Sequence, residues 1–348
     1  MIEDLMPTPK INPFDSRNHR NVVASVPAQF IPSYNIGEAF KAGTANSFMV
    51  NSWGGLGDQI CAEPAIRFGM RTFKGVSWHL AGRCPSIYSH LKWDSVTDTR
   101  KKEPDWNSHL VFQTIVSPDH LMWEFFSHLL VQAVDYASMC MFRMALPVAD
   151  KEIQLPDFKT GNADVERVLA LRHSSVVIHA GKSWPSKTFP KAWWDEVVKA
   201  LTAKNFTPVL VGASVKGDVG FVDVDPAGCI DLRDRLSIPE FIELLKGCKL
   251  LLSNDSSPIH AAAAGDAFIG MIATCKHPDF ITHWRQGKFG YKTKNFGLDG
   301  AWNYDNYSPA QEEGSFCDNL PAGVMEKILP EPARIAAEYE TLTRMWYP

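Results

Sequence analysis

Three short segments carry residue types that could do chemistry. In KLLLSNDSSPIHAAAAG, Lys249–Gly265, an apolar strand runs into a turn of small polar residues and then into a small-residue helix, with Asp255 or Ser256 placed to cap it. A helix start presents unpaired N–H groups and the positive end of a dipole, which suits a diphosphate. The carboxyl end of a parallel strand is also where open α/β sheets hold ligands. The same pattern describes a plain capped helix packed through its alanines, so the turn alone leaves both readings open. In VVIHAGKSWPSKTFPKAWW, Val176–Trp194, Gly181 and Ser183 permit close approach of backbone to a ligand, and Lys182 and Lys187 can neutralise phosphate oxygens. Lys187 follows the first strand of its half, so in a doubly wound unit it shares a sheet edge with the Asp255 turn. In NSWGGLGDQICAEP, Asn51–Pro64, glycines including Gly55 and Gly57 let the chain turn beneath a ligand, and Trp53 could stack on a sugar face or simply pack. Asp58 stands at the helix start, where an aspartate serves as a cap or as a general base for an attacking hydroxyl. GGLGD lacks the third glycine of a dinucleotide fingerprint, so no nicotinamide cofactor is expected.

These segments need strands and helices to position them. From Ser47 onward NSFMVNS, VSWHLAG and HLVFQTIV read as strands and DQICAEPAIRFGMRTF as a helix. HLMWEFFSHLLVQAVDYASMCMFRM, His120–Met144, is long enough for a buried helix. After the polar connector LPDFKTGNAD near residue 160 a second β/α series begins with SVVIHA, followed by KAWWDEVVKALTAKN, TPVLVGA, CIDL, SIPEFIELLKGC, KLLLSN and DAFIGMIAT. Strands alternating with helices favour parallel sheets covered on both faces. The expected organisation is an irregular proline-bearing arm over 1–45, an N-terminal Rossmann-like domain over 46–160, a C-terminal one over 161–325, and a helical segment over 326–348 returning to the first domain.

Composition bounds the function. A chain of 348 residues with 45% hydrophobic and 21% charged residues is comfortable as two globular domains. No apolar run approaches the ~18 residues that span a bilayer, and the start lacks a secretory signal, so a cytoplasmic protein without integral membrane contact is expected. Seven scattered cysteines without a CxxC pair suggest reduced thiols rather than a disulfide framework or zinc site. A net charge of −4 argues against holding nucleic acid by bulk electrostatics.

In order and spacing, GLGDQICAEPAIR, HAGKSWPSKTFPKAWWDEVVKAL, TPVLVGA and DLRDRLSIPEFIELLKGCKLLLSNDSSPIHAAAAG resemble glycosyltransferase family 9, the bacterial heptosyltransferases of lipopolysaccharide synthesis. The resemblance covers roughly residues 46 to 280 and is strongest in the C-terminal half. It implies a GT-B fold of two Rossmann-like β/α/β domains facing a central cleft, inversion at the anomeric carbon, and no metal or cofactor besides a nucleotide-sugar co-substrate. It also implies roles: Asp58 as catalytic base, Lys187 as a phosphate contact, and Asp255 with His260 as the donor-site turn. Gly181, Lys182, Ser183, Ser256 and Ser257 stand beside these on the donor side, and Trp53, Gly55 and Gly57 on the acceptor side. Ser257 replaces the usual glycine, and ATCKHPDF, Ala273–Phe280, replaces a GPTDP-like segment, so ADP-heptose is not assumed as donor.

HWRQGKFGYKTKNF, His283–Phe296, has no counterpart in that pattern. It interleaves bases such as Arg285 and Lys288 with aromatics such as Trp284, a combination that can grip phosphates and stack on bases or sugars. A glycan acceptor of the lipopolysaccharide type is the first expectation, a hydroxylated base in DNA the second, and a catalytically idle nucleotide-sugar binder the reading from another class. Asp223 and Asp225 mimic a metal-binding DxD but read as a loop between strands.

Overall fold

The computed structural model describes residues 46–52, 54–105, 109–113, 135–144, 146–182, 187–214, 220–274, 278–282, 284, 292–297 and 329–346. The expected arm over 1–45, most of the expected helix over 120–144, and the site candidates Trp53, Ser183, Arg285 and Lys288 lie outside the described residues. Two α/β units divide between Lys151 and Glu152. The polar connector belongs to the second unit, because Lys246 Nζ donates to the carbonyls of Leu155 and Pro156 at 2.7 and 3.1 Å. Thr160 is likewise tied to Glu243 by two hydrogen bonds.

The first unit runs β1 (Ser47–Ser52), α1 (Leu56–Thr72), β2 (Ser77–Gly82), a 3₁₀ turn (Pro85–Tyr88), β3 (Ser95–Asp98), β4 (Leu110–Gln113) and α2 (Tyr136–Arg143). Its sheet is parallel throughout, in the order β3-β2-β1-β4. Register sets Ser47 opposite Ser77 and Phe48 opposite Leu110. Phe48, Val50 and Leu80 are buried, and Phe48 stacks on Trp78 and on Phe73 at centroid distances of 4.9 and 5.7 Å. Within α1 the fully buried Glu63 accepts from Arg67 Nε at 2.7 Å and lies 3.2 Å from His90 Nε2. A carboxylate taken out of water requires such partners.

The second unit contains α3 (Ala163–Ala170), β5 (Ser175–His179), β6 (Gly181–Lys182), α4 (Lys191–Ala203), β7 (Thr207–Leu210), β8 (Gly220–Phe221) and β9 (Ile230–Asp231). It continues with α5 (Ile238–Gly247), β10 (Leu250–Asn254), α6 (Ser257–Ala263), β11 (Phe268–Ile272), α7 (Pro278–Ile281), β12 (Thr293–Asn295) and α8 (Pro332–Trp346). Six parallel strands form one sheet in the order β12-β11-β10-β5-β7-β9, while β6 and β8 pair antiparallel. Every residue of β5, β10 and β11 is buried, as continuous apolar runs in a sheet covered on both faces require.

Both sheets share one topological property. The first strand of each unit has its next strands on one side and the later ones on the other, so the order reverses between β1 and β4 and again between β5 and β10. At such a reversal the strand-to-helix loops diverge and leave a crevice at the strand carboxyl ends. Asp58 lies in the first turn of the helix that follows β1, Lys187 in the segment between β6 and α4, and Asp255 in the turn after β10.

The C-terminal segment, expected against the first domain, shows its packing on the second unit. Ile335, Ala336 and Tyr339 of α8 enter the core with Trp194 and Leu201 of α4. Trp193 Nε1 donates to the Pro330 carbonyl at 2.9 Å, and the Tyr339 hydroxyl donates to the Leu251 carbonyl at 2.6 Å. Gly270 makes room for that hydroxyl, since a Cβ there would lie 2.3 Å from it and 2.4 Å from the Phe296 ring. Tyr339→Phe is therefore expected to cost about 1–2 kcal/mol, read as a lower urea midpoint at unchanged slope. No helix among the described residues is long and apolar enough to cross a membrane.

Candidate functional site

In the second unit the loops after β5 and β10 converge. Lys187 Nζ lies 2.5 Å from Asp255 Oδ2, with both side chains about nine-tenths buried. This is the adjacency that strand order demands, because β5 and β10 are hydrogen-bonded neighbours. Asn254, closing β10, ties the loops together: its Nδ2 donates to the carbonyls of Gly181 at 2.9 Å and Lys187 at 2.6 Å.

Gly181 is needed for a different reason from the one its sequence context suggests. A Cβ there would sit 2.6 Å from the His179 ring and 2.7 Å from Asn254 Oδ1, so the close approach is to the site's own side chains. Lys182 follows it in β6, half-buried and paired in register with Gly220.

Ser256 occupies the N-cap of α6 but makes no capping hydrogen bond there. Its hydroxyl instead lies 3.0 Å from His179 Nδ1 and 3.0 Å from Asn254 Oδ1. Ser257 is the first residue of α6, and at seven residues that helix has a short dipole. Most of the positive charge available to an anion thus comes from Lys187 rather than from the helix end. His260 lies on α6, where its Nδ1 accepts the Trp284 indole N–H at 2.9 Å.

His179 and Asn254 stand in segments that resemble the family but drew no role from the sequence; the signal for them is a buried polar residue closing each strand at its carboxyl end. Burial pushes the His179 imidazole from 6.5 down to about 4, partly opposed by hydrogen bonding to Asn254. The unfolded chain therefore binds the proton more readily, so stability is full above pH ~6.5 and falls as pH drops towards about 4. The difference amounts to about 3 kcal/mol. His179→Gln is expected to flatten that part of the stability profile, measured as urea midpoints between the two pH limits.

In the first unit Gly54 makes the turn after β1, with φ +95°, a conformation that favours glycine. Gly55 is the N-cap of α1 in extended conformation, while Gly57 already lies inside the helix. Of the three glycines expected to let the chain turn, Gly54 takes the left-handed conformation. Asp58, half-buried in the first turn of α1, accepts the Gly55 N–H on Oδ2 at 2.9 Å. That bond fixes the carboxylate at the strand-order reversal of its own sheet.

The basic and aromatic stretch is only partly described, and its described members are built into the second unit. Trp284, expected to contact an acceptor, is 5% exposed and donates to His260. Lys292 is buried and donates to the Asp266 carbonyl at 3.0 Å, Lys294 pairs with Glu338 at 2.6 Å, and Phe296 is core. Trp284, Lys292 and Phe296 are thus buried in the second unit, and the DNA reading gains no support. Asp223 lies 3.3 Å from Arg233 Nη1, and Asp225 Oδ1 accepts the Ala227 N–H at 3.0 Å. Among the described residues no cluster of three or more His, Cys, Asp or Glu could hold a metal ion, and Cys61, Cys84, Cys140, Cys229 and Cys248 are free thiols.

Residues 104–274 match the family model for glycosyltransferase family 9 (heptosyltransferase). The match contains the Lys187–Asp255 site and begins beyond Asp58. No curated protein sequence matches the chain. A family 9 glycosyl transferase from Veillonella parvula is similar in structure with a TM-score of 0.58 at 14% identity, covering 86% of this chain and 98% of that one. TibC from enterotoxigenic E. coli, solved with ADP-D-beta-D-heptose, gives 0.58 at 11% identity, covering 87% and 79%. The E. coli ADP-heptose lps heptosyltransferase II gives 0.50 at 14%, covering 86% and 99%. The shared architecture is the GT-B fold of two Rossmann-like domains.

Proposed function

We propose that this chain, whose residues 104–274 match the model for glycosyltransferase family 9, is a glycosyltransferase that moves a sugar, with inversion, from a nucleotide-diphosphate sugar to a hydroxyl of a lipopolysaccharide-type glycan. The observation that carries the reading is the buried Lys187–Asp255 pair at the strand-order reversal of the second sheet. It holds an ammonium in a fixed position at the place where open α/β sheets bind phosphorylated ligands.

In the proposed reaction the acceptor oxygen attacks the anomeric carbon as the bond from that carbon to the diphosphate oxygen breaks. Asp58 takes the acceptor proton, and the bonding electrons leave with the nucleoside diphosphate. A single displacement of this kind inverts the anomeric centre. Lys187 supplies the charge that stabilises the departing diphosphate, so the step is proposed to proceed without a metal. Two of the structural neighbours carry ADP-heptose in their names, but Ser257 in place of the family glycine bears on the donor pocket, and the donor is proposed only as a nucleotide-diphosphate sugar. Incubation with a mixed panel of nucleotide sugars and lipopolysaccharide core acceptors, read by mass spectrometry, is expected to yield a nucleoside diphosphate and one glycosylated acceptor. Absence of both transfer and donor hydrolysis across the panel would sink the reading.

A further inference from the structure

His179 and His260 both lie beside the Asp255 turn, yet their partners differ in kind. His179 Nδ1 meets the Ser256 hydroxyl, which can donate or accept and so leaves the imidazole proton unassigned. His260 Nδ1 meets the indole N–H of Trp284 at 2.9 Å, with the rings edge-to-face at 89°. An indole N–H only donates. Nδ1 must therefore keep its lone pair, and the proton of the neutral ring resides on Nε2. A protonated ring would set two N–H groups against each other across 2.9 Å in a site where Trp284 is 5% and His260 9% exposed, which low local dielectric makes costly.

From this contact we infer that Trp284 is a positioning residue that holds His260 as the neutral tautomer with its proton on Nε2. His260 then serves the donor site as a neutral hydrogen-bond donor rather than as a second cation. His260 follows Ser257 by three residues in α6, and residues at that spacing share a helix face. His260 lies in the helix that follows the Asp255 turn, and the inference rests on the donor reading for its role in binding, though not for the tautomer itself. It also gives Trp284 a reason to be buried here that an acceptor contact does not.

The test has two arms. Long-range ¹H–¹⁵N correlation spectra of the histidine-labelled full chain at pH 7, with His260 assigned by the signals lost in His260→Gln, are expected to show the Nε2-protonated neutral ring. An Nδ1-protonated or doubly protonated ring in the wild type would overturn the inference without any change at Trp284. In the second arm, Trp284→Phe keeps the ring but removes the donor. It is expected to give a mixture of tautomers and to raise KM for the nucleotide sugar about three- to tenfold, the value of one hydrogen bond, with kcat changed less than twofold. An unchanged tautomer, or an unchanged KM with the tautomer lost, would overturn the positioning role. The spectroscopic arm needs no substrate, so its result stands whether or not a nucleotide sugar is turned over.

Discussion

Asp58→Asn is expected to lower kcat by about 10²–10⁴, the usual contribution of a general base, while the affinity for the nucleotide-sugar donor stays within about twofold. The separation follows from the division of labour proposed between the two units. Asp58 belongs to the first turn of α1 in the first unit, whereas the groups assigned to the donor lie in the second unit, before α4 and after β10. Asparagine also keeps an oxygen that can accept the Gly55 N–H now bound by Asp58 at 2.9 Å. The start of α1 should therefore survive the exchange, and a melting temperature close to wild type would show that activity was lost without unfolding. Full turnover by Asp58→Asn would remove Asp58 from the mechanism. Asp58→Ala is the complementary variant: it should be no more active, and it should lose about 0.5–2 kcal/mol of stability with the capping interaction.

Lys187→Met should have the second-largest effect, and on two quantities at once. The ammonium pairs with Asp255 at 2.5 Å with both side chains largely buried, so its removal strands a carboxylate in a poorly solvated place at a cost of about 3–5 kcal/mol. It also removes the charge assigned to the departing diphosphate, for which a loss of about 10²–10³ in kcat is expected. Adding Asp255→Asn separates the two effects. The double variant should regain most of the stability, because no buried charge is left alone, and should regain none of the turnover. Recovery of activity together with stability would reduce Lys187 to a structural residue.

The strands of both units were legible because buried parallel strands are written as apolar runs: SVVIH, LLLSN and FIGMI are distinct in the sequence and wholly buried in the structure. The meeting of Lys187 with Asp255 was legible for the same reason, since alternation of strand and helix implies which strand ends are neighbours. What was not legible depends on contacts between segments distant in sequence. The apolar side of α8, with Ile335, Ala336 and Tyr339, announces a packed helix but not its partner. The partner surface is fixed by Gly270, about 70 residues upstream, whose missing side chain receives the Tyr339 hydroxyl. The stretch His283–Phe296 reads as basic and aromatic whichever way its side chains face. The burial of Trp284 and Lys292 depends on His260 and Asp266, which no local pattern links to them. Gly181 was read as a place where backbone approaches a ligand, and only the fold reveals that His179 and Asn254 crowd its Cβ position.

The central claim is that the Lys187–Asp255 turn binds a diphosphate, and calorimetric titration of the full chain with matched nucleoside mono- and diphosphates tests it most directly. The account predicts that the diphosphate binds at least about tenfold more tightly, the worth of one charge-assisted contact at roughly 1.4 kcal/mol. The Lys187→Met, Asp255→Asn double variant, folded but without the ammonium, should lose that preference. Equal affinity of the wild type for mono- and diphosphate, or a preference undiminished in the double variant, would contradict it.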